Sequence, residues 1–281
     1  MAHDPLTYSA DQVRRLDHDR YLCALFAPSA DQARLFALYA FNLEVARVRE
    51  VVSEPVIGQM RLQWWRDALA EMTAGTVRAH PVAQALARAM EGRPVRAELF
   101  ERLLTAREFD LGDEPPADMA ALEAYAADTS SALLQAGLDL LGIADASANE
   151  AARHIGLAWS LVGLLRAVPF HARRRRLYLP ADLLAGANID REQLFEGRPG
   201  ESLRQITRHL AERAAEHLAR ARATRGAVLR AARPVLLPGI LADVHLRRLA
   251  RAGYDPFAPV LRRPVGGAAL RLSWAAVRNR Y

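Results

Sequence analysis

Apolar residues recur three and four positions apart through almost the whole chain, and stretches with strand character are scarce. That spacing gathers them on one face of a helix and leaves little from which a sheet could be built. Ser29 or Asp31 can cap a helix through Leu35, Leu38, Tyr39 and Val45. Pro55 and Gly58 punctuate, and a second helix follows from Ile57 towards Gly75, with shorter ones expected over Pro81–Met90 and Arg96–Glu108. The segment DLGDEPPAD reads as a loop by its Pro, Gly and Asp content. Helical spacing resumes over Leu122–Leu141 and again from Asn149 towards Val168, where Pro169 is expected to end or kink the helix. Pro180–Gly200 reads as loop with short helical pieces. Leu203–Arg230 reads as a surface-facing helix, Val235–Ala250 as another, and GYDPFAPVLRRPVGG as a loop before a last short helix. Without a repeat or a shift in composition, the expectation is one all-α domain over residues 1–281.

A chain of 281 residues that is 51% hydrophobic can bury a substantial core. Its formal charge is +6, and every basic residue is arginine, a uniformity better explained by base composition than by guanidinium chemistry. The positive balance favours anionic partners such as phosphates or acidic membranes. No basic stretch is interleaved with aromatics, so nucleic acid is not expected as a partner. Cys23, the single cysteine, sits in the apolar YLCALF, which excludes an internal disulfide and suits a reducing compartment. The beginning MAHDPLTYSADQ has acidic residues and no apolar run, so neither a secretory signal nor a transit peptide is expected. Ile155–Leu165, the longest nearly apolar run, is too short to span a bilayer. The expected location is cytoplasmic, with a peripheral place on the inner membrane left open. No nucleophile motif or phosphate-binding glycine loop is present.

The stretch ALYAFNLEVARVRE, Ala37 to Glu50, would put Asn42, Ala46 and Glu50 on one stripe of a helix. Gly163 and Ala167 form a second stripe, which His171 joins if the helix survives Pro169. With ALYAF, RLQWWRDAL, HPVAQAL and LLRAVPFHARRRRLYLP, the chain resembles the squalene and phytoene synthases, all-α prenyl transferases, along nearly its whole length. In that family two aspartate-rich motifs hold Mg²⁺ against the substrate diphosphate, a task for hard oxygen ligands. Laid on this sequence, the first motif's acidic positions fall on Ala46, Arg47 and Glu50, the second's on Ala167 and His171. Only Glu50 still offers a carboxylate. The resemblance also puts Leu43 where the family has an arginine and His245 where it has a tyrosine, while Arg166 and the arginines ahead of Tyr178 are retained.

Further segments are similar to a divergent branch of that family, the assembly factors of respiratory complex I. They are Asp17 with Tyr21, Leu22, Cys23 and Leu25, then AFNLEVARV, VSEPVIGQMRLQWW, ADTSSALL and LRAVPFH. The resemblance implies a non-catalytic helical protein with a central cavity, partnered by complex I subunits or assembly intermediates, with no cofactor expected. Mg²⁺ would belong only to a working synthase, the alternative reading, in which a prenyl diphosphate or prenyl lipid is held by arginines.

Candidate cavity residues are Asn42, Glu44, Arg47, Glu50, Gln63, Arg66, Arg166, His171, Arg173, Arg176 and Tyr178. Glu44 and Arg47 could be a plain intrahelical pair or part of a polar network replacing the metal. Arg166 could bind an anion bidentately or pair with Glu44 or Glu50. Trp64 and Trp65 suit the core, with Gln63 and Arg66 beside them of undecided orientation. His171 has no second ligand at metal-binding spacing. Arg173–Arg176 suits a solvated turn, or contact with a diphosphate or acidic headgroups. In AALRLSWAAVRNRY, Leu270, Trp274, Val277 and Tyr281 fall on one stripe with Arg271 and Arg278 opposite, which suits either a membrane-surface helix or one packed back on the body.

Overall fold

The computed structural model describes residues 4–198, 200–278 and 280–281; Met1–His3, Pro199 and Asn279 lie outside the described residues. Among the described residues the regular structure is helical, without strands, so the expected all-α class holds. Helices α1 (Pro5–Leu16) and α2 (His18–Ala24) meet at Asp17, whose carboxylate accepts the Arg20 backbone N–H at 3.1 Å and caps α2. Helix α3 (Ser29–Ala46) follows Pro28. Neither Ser29 nor Asp31 caps it, because both already lie inside its first turn. The Gln32 side chain instead donates to the carbonyls of Leu25 and Ala27 and ties the preceding loop down.

Arg47 leaves the helical conformation (φ −99°, ψ 4°), and a single turn, α4 (Val48–Val51), restarts beyond it. The expected unbroken stripe of Asn42, Ala46 and Glu50 is therefore divided. Asn42 is buried, while Ala46 and Glu50 reach a cavity together. Helix α5 (Pro55–Thr73) starts on a proline, whose missing N–H is not needed in a first turn. Gly58 lets α5 lie against Leu111, where a Cβ would come within 2.4 Å of Cδ2. Helices α6 (Pro81–Met90) and α7 (Ala97–Phe109) fall within one residue of their expected bounds.

Helix α8 (Met119–Ala126), the π-helical turn Ala127–Ser131 and α9 (Ala132–Leu140) follow one another without a break. Helix α10 (Ala146–Arg173) is the centre of the molecule and packs on α8, the π turn, α9, α12 (Arg191–Phe195), α13 (Glu201–Ala223), α14 (Arg233–Leu236) and α15 (Pro238–Arg251), with the short α11 (Ala181–Gly186) lying against α13. Ile155–Leu165 thus belongs to a helix of 28 residues, long and apolar enough to cross a membrane by length and composition. Most of that apolar surface is taken up by neighbouring helices, as expected of a core helix. Pro169 does not end α10. It forgoes one backbone bond to the Leu165 carbonyl, and the helix continues to Arg173 because Val168, Pro169 and Ala172 are buried on both sides of the break.

Helix α13 is not surface-facing throughout: Leu203, Ile206, Leu210, Ala214 and Leu218 bury one side against α10, and it stops at Ala223. In α16 (Ala268–Val277), Ala268, Leu272 and Ala275 face the body, while Leu270, Trp274 and Val277 are exposed. Tyr281 leaves their stripe because the helix ends at Val277, and its ring is buried. Buried apolar residues from Val13 to Tyr281 form one contiguous cluster.

Candidate functional site

A cavity of about 460 Å³ opens where α3 and α4, the end of α7, α8 and the C-terminal turns of α10 converge. Its shape follows from how α10 ends. Arg175 takes a left-handed φ of 54°, Arg176 N–H bonds back to the His171 carbonyl at 3.0 Å, and Arg175 N–H to Ala172 at 2.9 Å. Glycine is usual at such a helix terminus. Here the turn points Arg176 back at the cavity, where its guanidinium donates to the carbonyls of Asp110 and Gly112.

Asp110, at the end of α7, is the best-connected group on the wall. It is 6% exposed and accepts from Arg107 Nη1 at 3.0 Å, Tyr125 Oη at 2.8 Å and Tyr178 Oη at 2.7 Å. Arg107 also donates to Tyr125 Oη at 2.8 Å. Burial works against the Arg107 charge, but Tyr125 and Asp110 more than offset it and hold its pKa above the ordinary value. Burial pushes both tyrosine pKa values up, so each is a phenol at neutral pH. The remaining acids on the wall are also matched by arginine: Glu50 lies 3.5 Å from Arg47 and 3.9 Å from Arg174, and Asp113 lies 3.8 Å from Arg49 and from Arg176. Ala46, Leu164, Ala167 and Phe170 supply the apolar wall, and the His171 ring lies against Tyr178 at a tilt of 42°, with centroids 4.6 Å apart.

Of the residues expected in a cavity, Glu50, His171, Arg176 and Tyr178 line this one, and the others lie elsewhere. Glu44 points into a shallow groove with Met60 and Trp64. Arg47 is a half-exposed helix end paired with Glu50 rather than Glu44. Gln63 donates to Asp67 at 2.8 Å, and Arg66 pairs with Glu101 and Glu108 between α5 and α7. Arg173 is exposed and off the wall. Trp65 is buried against Phe41, while Trp64 stays partly exposed.

Arg166 pairs with neither Glu44 nor Glu50. It reaches Asp19 at 3.7 Å, and Asp19 lies 3.8 Å from the buried His245. Burial would raise the Asp19 pKa, but His245 and the Arg166 charge keep it low. Nearby, Arg20 bonds Asp17 at 2.5 Å and stands 5.9 Å from the rings of both Tyr39 and Trp159.

Arg174, within the expected Arg173–Arg176 run, also reaches the wall, whereas Arg49, Arg107, Asp110, Asp113 and Tyr125 carry no signal in the sequence. The loop content of DLGDEPPAD was visible, but nothing local to it marks Asp110 as the junction of three segments.

Two histidines give the fold an acid limit. Burial pushes the pKa of His171 down to about 4, with Arg176 and Arg174 adding to that effect and Asp110 opposing it. His154, bonded to His217 through the Nδ1 atoms at 2.9 Å, is also pushed down to about 4, first by burial and then by Arg153. The unfolded chain, with its histidines near 6.5, therefore binds protons that the folded chain refuses in the window from 6.5 to about 4. Stability should be complete above that window and fall as pH drops through it. For His171 the loss should be on the order of 2 kcal/mol, allowing for solvent at the cavity mouth. Urea midpoints near pH 7 and near pH 4.5 should show the fall, and His171→Gln should make it shallower. An unchanged slope in the variant would mean that His171 stays solvated.

A family model described as squalene/phytoene synthase matches residues 13–272. The chain is 34% identical to complex I assembly factor 6 of Rattus norvegicus, over 99% of this chain and 84% of that protein. It is 26% identical to presqualene diphosphate synthase of Rhodopseudomonas palustris, over 96% of this chain and 97% of that enzyme. A solved dehydrosqualene synthase in complex with ligand superposes with a TM-score of 0.84 at 18% identity, covering 98% of this chain and 96% of that one, which shows a shared helical fold. With the model matched along most of its length, the chain belongs to the squalene/phytoene synthase family.

Proposed function

We propose that this protein acts in the assembly of respiratory complex I and carries out no magnesium-dependent prenyl transfer. The observation that carries the reading is the likeness to complex I assembly factor 6, which runs the length of the chain and exceeds the likeness to the presqualene diphosphate synthase. The cavity supports it. Mg²⁺ requires near-octahedral oxygen ligands and is usually held through carboxylates. Here Asp110 is occupied by Arg107, Tyr125 and Tyr178, while Glu50 and Asp113 each stand between two arginines. The positions that the family resemblance makes acidic include Ala46 and Ala167, whose methyl groups face the same space. Among the described residues no three His, Cys, Asp or Glu side chains are grouped so that they could hold a metal ion. This donor set does not fit Mg²⁺.

Complex I is a membrane assembly, so the reading places the protein on the cytoplasmic side, in touch with the inner membrane and with subunits or intermediates of the complex. A clean deletion of the gene should lower assembled complex I, measured as NADH dehydrogenase activity on native gels, with carotenoid and hopanoid content unchanged. Normal complex I in that strain would sink the reading.

A second reading has its own observation in its favour. Arg49, Arg107, Arg174 and Arg176 converge on a cavity of about 460 Å³, and guanidinium groups can stabilise diphosphate charge without a metal. A prenyl lipid or prenyl diphosphate would then sit against Leu164, Ala167 and Phe170. Calorimetric titration with farnesyl thiodiphosphate, in Mg²⁺ and in chelator, should show binding indifferent to the metal. Silence in both buffers would remove this second reading, and binding only with Mg²⁺ would overturn the metal-free account of the cavity.

A further inference from the structure

Helix α16 leaves three large apolar side chains in water. Leu270 is 77% exposed, Trp274 59% and Val277 82%, and their spacing puts all three on one face. The helix is not loose. Arg233 Nη1 donates to the Ala276 carbonyl at 2.7 Å, and Arg222 Nε donates to the Tyr281 carbonyl at 3.0 Å. Tyr281 is buried beyond the helix end. An exposed apolar face on a firmly held helix is a surface shaped for contact.

The charge around it indicates what kind. Residues 217–281 hold thirteen arginines against two aspartates, so the 216 residues before them carry a net charge of −5 within a chain of +6. After Asp255 no acidic residue follows. Arg262, Arg263, Arg271, Arg278 and Arg280 are all exposed, and among the described residues none comes within 4 Å of a carboxylate. The Arg278 guanidinium lies over the Trp274 ring at 4.0 Å, at the rim of the apolar face. Two copies meeting through this face would bring their arginines together, which like-charge repulsion opposes.

We infer that α16 is a bilayer-docking helix, lying in the headgroup plane of a membrane rich in anionic lipid, with Leu270, Trp274 and Val277 inserted and Arg271 and Arg278 on lipid phosphates. Tryptophan suits that depth, with its ring among upper acyl carbons and its N–H among headgroups. Each arginine near such a surface adds attraction that salt screens. Docking of this kind needs nothing of the assembly reading and is tested apart from it.

The test is co-sedimentation of the full chain with phosphatidylcholine vesicles, and with vesicles of equal parts phosphatidylcholine and phosphatidylglycerol. The wild type should bind the second and scarcely the first. Leu270→Ser, Trp274→Ser and Val277→Ser combined should reduce partitioning about tenfold or more. These three side chains are outside the core, so an unchanged thermal transition verifies the fold. Arg271→Gln with Arg278→Gln should weaken binding roughly 30-fold and remove much of the salt dependence. Met60→Ser, on an exposed apolar residue of α5, should change nothing. Absence of wild-type binding, equal binding by the α16 variants, or a wild-type dimer that the triple variant abolishes would each overturn the inference.

Discussion

Replacing Gly156 by alanine should destabilise the fold by about 2–4 kcal/mol, although the residue lies inside a helix, where alanine is normally the better choice by about 1 kcal/mol. The reason is a backbone approach. A Cβ at position 156 would stand 2.4 Å from the Ser131 Cα, 2.5 Å from its N and 2.6 Å from its Oγ. Two of those are main-chain atoms of the π turn between α8 and α9, and they cannot swing aside as the end of a side chain can. Ser131 is further fixed by its hydroxyl, which donates to the Arg153 carbonyl on α10 at 2.6 Å. Relief therefore requires α10 to move off the π turn, opening the centre of the core. For a chain of this size the thermal midpoint should fall by roughly 3–7 °C. Gly163 on the same helix is the control. A Cβ there meets nothing within 4 Å, so Gly163→Ala should be neutral or stabilising by up to about 1 kcal/mol. Equal effects at the two positions would mean that helix propensity, not the Ser131 contact, governs both.

How far the sequence announces this structure differs from one element to the next. The bounds of α6 and α7 were readable because their apolar spacing is uninterrupted and a proline opens α6. The end of α3 was not, since nothing in LEVARV forbids helix; the chain leaves it at Arg47, and the turn restarted beyond it carries Arg49 and Glu50 to the cavity wall. Pro169 misled for a related reason. A proline removes one hydrogen bond, and burial on both sides of α10 outweighs that loss. Four expected cavity residues share the observed wall because they lie on the two family-like segments and the turn after α10. The acid at its centre could not be found in this way. Asp110 receives its partners from α7, from α8 and from the loop after α10, and no spacing rule connects those segments. The stripe of α16 was visible, but which side chains would meet the body depended on where the helix ended.

Asp110→Ala should be the more damaging change, with an expected loss of about 3–5 kcal/mol. Removing the carboxylate leaves Arg107 buried without its counter-charge and takes the shared acceptor from both Tyr125 and Tyr178. An unpaired buried cation costs more than the pair ever contributed, because its desolvation remains and its compensation is gone. Asp110→Asn, which keeps an acceptor oxygen but no charge, should fall between the variant and the wild type. The decisive comparison adds Arg107→Leu. If the loss arises from the stranded charge, the double variant should recover a large part of it in urea unfolding; if it arises from the two tyrosines, the second change should add to the damage. Recovery would also serve the functional question. A stable double variant has a cavity wall emptied of its central ion pair, and it can replace the wild type in the deletion strain. Complex I restored to its normal level by such a protein would put the assembly role on an outer surface. Complex I that stays low would put it in the cavity.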